Sequence, residues 1–465
     1  MINRGTLFGK LKKRWIVITA VVVFAFGMLL QFGLQKESVS NYTEENAVIS
    51  TGGQTDPGDA AKELSLSVSL MPGEFETLQQ LVKQAQSKLP GVKIKLDNLT
   101  EKEAYEQYKK SAQLREGPDV MLLDNIWVDE FAALGYLLPV DEQYTTEQQA
   151  QTLQTVLGQI KWNGYLWGKP FHVEPYGFVY NKDVLTRWKS AQDNDPELAS
   201  SSLLTAHRAS ARPAEDKYGV LFDGTDPYAF FSAMWAFGSG YLPPSGKSGA
   251  GAVLPGGQTA AAFNAPAQVK LLEAMLFLTD DKKAAKPAPA AKESAASRTI
   301  PLASETWNAW DALEQGKALM LIASYSEFKA HSKPGIIFNG LPLAGGEAGG
   351  LWLKGKSLVV SSRSEVSKEA LLLVQELTSS EALLKLWEEA RVLPAYASLY
   401  GSPRMKNDAD LKEVLPLIDY SKAVMGDPGL QKKLASFKIE LDKLWKGEHT
   451  VQTFADQSQK LFEGK

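Results

Sequence analysis

The sequence predicts an α/β protein built on a parallel sheet and preceded by one membrane-spanning segment. Three observations carry this. A charge-free apolar run occupies Trp15–Leu34, a strand–helix–strand alternation opens near Glu63, and the chain is 44% hydrophobic and 22% charged, as ordinary globular proteins are. Its 465 residues leave room for about three domains. The absence of cysteine excludes disulfides, thiolate metal sites, a thiol nucleophile and a lipid-modified cysteine. A net charge of −4 without a large basic patch argues against nucleic acid as a partner.

Residues 1–14 carry Arg4, Lys10, Lys12, Lys13 and Arg14 and no acid. The run from Trp15 to Leu34 follows directly and is long enough to cross a hydrocarbon core of ~30 Å. Positive charge on its N-terminal side predicts that this end stays cytoplasmic. A cleaved signal sequence and a retained anchor are both readings of this segment. The length of the run and the lack of an A-x-A site favour the anchor. Removing those five positive charges from the net −4 leaves −9 on the body that follows. Residues 35–62 are polar and Ser/Thr/Gly-rich, as in a flexible tether.

The body then reads element by element. Leu64–Leu70 alternates as a strand, and Phe75–Leu89 has apolar residues at helical spacing, stopped by Pro90-Gly91. Val92–Leu96 alternates again, Glu101–Leu114 is a charged amphipathic helix, and P-D-V-M-L-L-D fits a buried strand ending at Asp124. A helix is expected over Asp129–Leu134 with Gly135 at its C-terminal cap, and another over Gln148–Ile160. Asn163-Gly164 marks a hairpin. Residues 242–257 (Gly/Pro/Ser) and 281–297 (Lys/Ala/Pro) read as disordered insertions.

Among motifs, G-L-W-L-K-G-K-S at Gly350–Ser357 matches a phosphate-binding loop pattern. That mechanism needs a strand before and a helix after, whereas Leu-Trp-Leu fills the loop and a strand-like L-V-V-S-S follows, so it reads as a decoy. The four histidines lack a second ligand at helical spacing, so no metal and no cofactor is expected. Carboxylates such as Asp124 with Asp129 or Glu174 meet the minimum for glycoside hydrolysis, which stays a weaker alternative. The body holds ten tryptophans. Trp387 and Trp445 sit at helical spacing as core residues do, while Trp127, Trp235 and Trp352 read as loop residues. An indole against a sugar face, with carboxylates taking hydroxyls, would hold a carbohydrate; packing is the competing reading.

Several blocks then fall in one order: P-D-V-M-L-L-D-N-I-W-V-D with L-L-P-V-D, W-N-G-Y-L-W-G-K-P-F-H-V-E-P-Y-G-F-V-Y-N-K-D-V-L, F-N-A-P-A, L-E-Q-G-K-A-L-M-L, G-L-P-L-A-G-G, V-L-P-A-Y and a closing W-K-G-E-H. From Leu64 to Phe462 the chain resembles the family 1 extracellular solute-binding proteins of ABC importers, the group that includes the maltodextrin-binding protein. The resemblance implies a two-lobed periplasmic-binding-protein-like fold of type II. Residues 63–172 with 341–395 would form one lobe and 173–340 with 396–465 the other, with crossovers near Val173–Gly177 and Asn339–Pro342. It further implies a small-molecule ligand, expected to be a carbohydrate, bound between the lobes of a monomer and passed to an ABC permease without chemistry. By position, the ligand would meet Asp124, Trp127, Glu174, Tyr176, Trp235, Tyr325 and Trp352. Ser324, Tyr325 and Ser326 stand where the family usually has Gly-x-Trp, the family's T-W segment is not visible in Ala191–Arg212, and no lipobox cysteine is present. These departures motivate an alternative, a membrane-anchored sensor or scaffold using the same fold.

Overall fold

The computed structural model describes residues 61–186, 218–237, 239, 241, 262–276, 308–339, 351–421 and 427–463. All of them lie in the larger of the two units into which the chain divides, Val48–Lys465. The Trp15–Leu34 segment, the tether before residue 61, both predicted insertions and Ala191–Arg212 fall outside the described residues. Among the described residues no helix is long and apolar enough to cross a membrane.

The alternation read from Glu63 onward forms as expected. Strand β1 (Lys62–Val68) leads into α1 (Pro72–Ser87), β2 (Val92–Asn98), α2 (Glu101–Leu114) and β3 (Val120–Asp124). Both β2 and β3 run parallel to β1. Gly91, at φ +75°, turns the chain from α1 into β2. Every residue of β3 is buried, which explains its unbroken apolar run.

Two helices differ from expectation. Helix α3 (Asn125–Ala133) starts at once after β3 instead of at Asp129, because Asp124 caps it by accepting from the Ile126 N–H at 3.1 Å. Trp127 is therefore a helical residue, not a loop residue. The helix expected over Gln148–Ile160 is two short ones, α4 (Thr146–Gln151) and α5 (Gln154–Gln159). Thr152 breaks them apart by bridging to Tyr396, and the Leu153 N–H donates to the Ala395 carbonyl at 3.0 Å. The hairpin β4 (Lys161–Trp162) and β5 (Tyr165–Leu166) turns at Asn163-Gly164, both with positive φ.

Strand β6 (Lys169–Asn181) organises everything after it. It is followed by β7 (Tyr218–Phe222), α6 (Pro227–Ala236), α7 (Pro266–Leu276), α8 (Ala309–Glu314), β8 (Ala318–Ser324), α9 (Tyr325–Ala330) and β9 (Ile336–Asn339). Then come β10 (Leu353–Val360), α10 (Ser367–Leu377), α11 (Ser380–Ala390), β11 (Leu393–Pro394), α12 (Ala397–Tyr400), α13 (Ala409–Tyr420), α14 (Leu430–Trp445) and α15 (Val451–Glu463). Apart from the β4–β5 hairpin, the described strands form one sheet in the order β2-β1-β3-β10-β6-β8-β7, with β9 and β11 also on β6. Residues Lys169–Pro175 of β6 pair antiparallel with β10, and Tyr176–Tyr180 pair antiparallel with β8. One strand thus serves two half-sheets and changes partner between Pro175 and Tyr176, within the predicted crossover Val173–Gly177. The second predicted crossover falls mostly in residues 340–350, outside the described residues.

Each half-sheet has its own core. On the first, α1 packs against β2, α10 and α11. On the second, α6, α7, α14 and α15 enclose an aromatic cluster in which Phe231 stacks on Phe437 with centroids 5.0 Å apart. Trp235 belongs to this cluster, on the apolar helix α6, rather than to a loop. Gly177 is required where β6 enters the second half: a Cβ there would lie 2.3 Å from the Phe338 ring.

Candidate functional site

The change of partner along β6 fixes the site. Glu174 on β6 and Lys354 on β10 are in register, with Nζ and Oε2 4.0 Å apart. Lys354 Nζ also lies 3.3 Å from Glu101 Oε1, at the first turn of α2, and 5.2 Å from the centroid of the Tyr228 ring. Two residues on, along the same face of β10, Lys356 is paired with Asp124 in the β3–β10 ladder and donates to the Ser69 carbonyl at 2.6 Å. Both lysines come from the G-K-S pattern. That segment is an extended strand followed by turns, so the geometry of a phosphate-binding loop is absent. Gly355 between the lysines admits Asn125, whose side-chain nitrogen would lie 2.7 Å from a Cβ there. Asn125 Oδ1 in turn accepts from the Ser357 hydroxyl at 2.7 Å.

The second half contributes from α6 and β8. Asp226 caps α6 through the Tyr228 N–H and accepts from the Tyr176 hydroxyl at 2.5 Å. The Tyr176 N–H donates to the Trp352 carbonyl at 2.9 Å, and the Trp352 N–H donates to the Ser232 hydroxyl at 3.0 Å. The Trp352 indole is fully buried, stacked on Trp235 with centroids 5.4 Å apart and edge-on to Tyr228 at 5.1 Å. Its Nε1 has no hydrogen-bond partner, whereas Trp235 Nε1 donates to the Tyr241 carbonyl at 2.6 Å.

Electrostatics divides these groups. Burial disfavours the Glu174 carboxylate, but Lys354 and the Ser324 hydroxyl outweigh it and hold its pKa below the usual carboxylate range. Burial likewise opposes the Lys354 charge, yet Glu174 and Glu101 keep its pKa well above normal. His172, buried and beside Lys356, is held neutral. Asp124 and Asp226 behave differently from Glu174. Burial pushes each up to about 6 despite Lys354 and the helix N–H groups they cap. Glu74 is also raised, again chiefly by burial.

Of the residues singled out from the sequence, Asp124, Glu174, Tyr176 and Trp352 therefore meet around the β6–β10 crossing. Trp127 lies on the first turn of α3, its ring 5.3 Å from Tyr105 and its Nε1 donating to Gln431 Oε1 of α14 at 3.0 Å. Trp235 stacks on Trp352 within the aromatic core. Tyr325 opens α9 after the Ser324 cap and is buried, with centroid distances of 6.3 Å to Phe328 and 5.5 Å to Phe338. Lys354, Lys356, Asp226 and Tyr228 belong to the site and were not singled out. The alternation of Trp352, Lys354 and Lys356 along a strand, and the D-P helix start at Asp226, were the available signals. Carboxylates, an ammonium group and aromatic rings in one place suit a ligand rich in O–H and N–H groups. Among the described residues, no group of three or more His, Asp or Glu side chains could hold a metal ion.

The family model for bacterial extracellular solute-binding proteins matches residues 69–383, more than half of the chain. The maltotriose-binding protein of Pyrococcus abyssi is 23% identical over 174 residues, which are 37% of this chain and only 36% of that protein. Similar solved structures include the GacH receptor of Streptomyces glaucescens, with TM-score 0.67, 21% identity and coverage of 87% of this chain and 98% of that one. Maltose-bound MalE3 of T. maritima has TM-score 0.66 and 18% identity, covering 87% and 100%. The maltotriose-binding protein of Thermus thermophilus has TM-score 0.64 and 15% identity, covering 86% and 99%. At these identities the likeness is one of fold, that of the two-lobed periplasmic binding proteins.

Proposed function

The chain belongs to the bacterial extracellular solute-binding proteins, and we propose that its solute is a sugar or oligosaccharide, bound at the β6–β10 crossing and passed to an ABC permease. The observation that carries this reading is the position of Glu174 and Lys354 where β6 changes half-sheets. A ligand seated there touches both halves, so closure of one on the other is coupled to occupancy. Residues 63–172 with 341–395 form one lobe and 173–340 with 396–465 the other. Asp124, Glu174, Tyr176 and Trp352 line the cleft or support its wall, Trp127 and Tyr325 flank it, and Trp235 backs Trp352. The sugar names among the relatives, maltotriose and maltose, support the ligand class. The protein acts as a monomer, performs no covalent chemistry, and is held outside the cytoplasm by Trp15–Leu34.

The test is a calorimetric and thermal-shift screen of the full chain in detergent against neutral and basic oligosaccharides. A ligand at 100 times its Kd adds about 2.7 kcal/mol of stability. Absence of any shift across the set contradicts the reading.

A further inference from the structure

Resting on that reading, the charge arrangement of the cleft narrows the ligand class. Five carboxylates, Glu74, Glu101, Asp124, Glu174 and Asp226, interact with two ammonium groups, Lys354 and Lys356. The lysines are already committed: Lys354 to Glu101 at 3.3 Å and Glu174 at 4.0 Å, Lys356 to the Ser69 carbonyl. Neither Asp124 nor Asp226 has a cation within ion-pair distance among the described residues. Asp226 is satisfied otherwise, since Oδ1 caps α6 and Oδ2 takes the Tyr176 hydroxyl. Asp124 is not. Its Oδ1 caps α3 while its Oδ2 carries no hydrogen bond, on a side chain only 5% exposed. The Trp352 Nε1 is a buried polar atom without a partner, on a ring that meets the Tyr228 ring over which Lys354 sits. A buried carboxylate without a counter-ion is costly, and a ligand cation relieves that cost where a neutral hydroxyl does so only in part.

We infer that the cleft is built for a basic sugar, one carrying a protonated amine, and that Asp124 Oδ2 accepts that ammonium group. Capping alone accounts for Oδ1, and an asparagine would cap as well, so Asp124→Asn removes the charge and keeps the helix start.

The experiment titrates the full chain in detergent with three probes: the trisaccharide of glucosamine, its fully N-acetylated form, and maltotriose. The expected result is that the glucosamine trisaccharide binds at least about tenfold more tightly than either neutral probe. In Asp124→Asn, with its melting temperature checked, that advantage disappears. If a neutral probe binds as tightly as the amine in the unsubstituted chain, or if Asp124→Asn leaves the amine advantage intact, the inference is overturned and the sugar-binding reading stands. If none of the three binds, both fail.

Discussion

Lys354 and Glu174 face each other from neighbouring strands, Nζ to Oε2 4.0 Å, at the step where β6 leaves one half-sheet for the other. The pair is part of the site's electrostatics and also of the joint itself. Lys354→Met leaves Glu174 and Asp124 largely enclosed without their main positive neighbour. Removing one member of a buried pair costs ~3–5 kcal/mol. Lys354 and Glu174 side chains are 13% and 14% exposed, so roughly 2–3 kcal/mol is expected here. Urea unfolding measures it, and Lys354→Met combined with Glu174→Gln should recover part of the loss in a double-mutant cycle.

Asp124 and Asp226 set a pH dependence of definite sign. Burial raises each to about 6 from an unfolded value of 3.8, so the folded state binds more protons between those values. Their ionisation therefore costs stability that is absent below pH ~4 and fully present above pH ~6. Glu174 and Glu101, lowered by Lys354, act oppositely: the stability they add is present above the unfolded carboxylate range and lost as pH falls through their folded values. Asp124→Asn isolates one contribution. Melted at pH 4, 5, 6 and 7 beside the unsubstituted chain, it should gain relative stability as pH rises. A constant difference would show that the Asp124 carboxyl is not raised.

Gly177→Ala places a methyl against the Phe338 ring. A loss of about 1–3 kcal/mol is expected from overpacking. Phe338→Leu in the same chain should return part of it, whereas a glycine needed only for backbone freedom would show no such rescue.

The Trp127 indole N–H joins α3 to Gln431 on α14. Trp127→Phe keeps an aromatic ring against Tyr105 but leaves the Gln431 carbonyl unpaired, for a cost of about 1 kcal/mol. Gln431→Leu made alongside it should be less than additive, and full additivity would mean the bond does not form in solution.

How much of this was readable in sequence depends on range. The elements β1 through β3 carry their own periodicity and caps, so their order and the hairpin at Asn163-Gly164 were accessible from local pattern. The start of α3 was not, because Asp124 ends a buried strand and caps a helix with no polar break between. The split at Thr152 depends on Tyr396, far along the chain. Trp235 read as a loop residue because G-S-G follows it closely, and P-Y-A-F-F-S-A-M-W-A, apolar on all sides, shows no helical stripe to signal α6. Asp124 and Glu174 were reached through the resemblance, but Lys354 was passed over inside a misleading G-K-S pattern. Its role exists only through pairing with a strand 180 residues earlier, which no local spacing encodes.

The central claim, that solute binds where β6 changes half-sheets, is tested most directly by a crystal structure of the chain with a bound oligosaccharide. The account predicts sugar oxygen or nitrogen atoms within hydrogen-bonding distance of Asp124, with further contacts from Glu174 or Lys354. A sugar bound on another surface, with Asp124 and the β6–β10 crossing untouched, would contradict it.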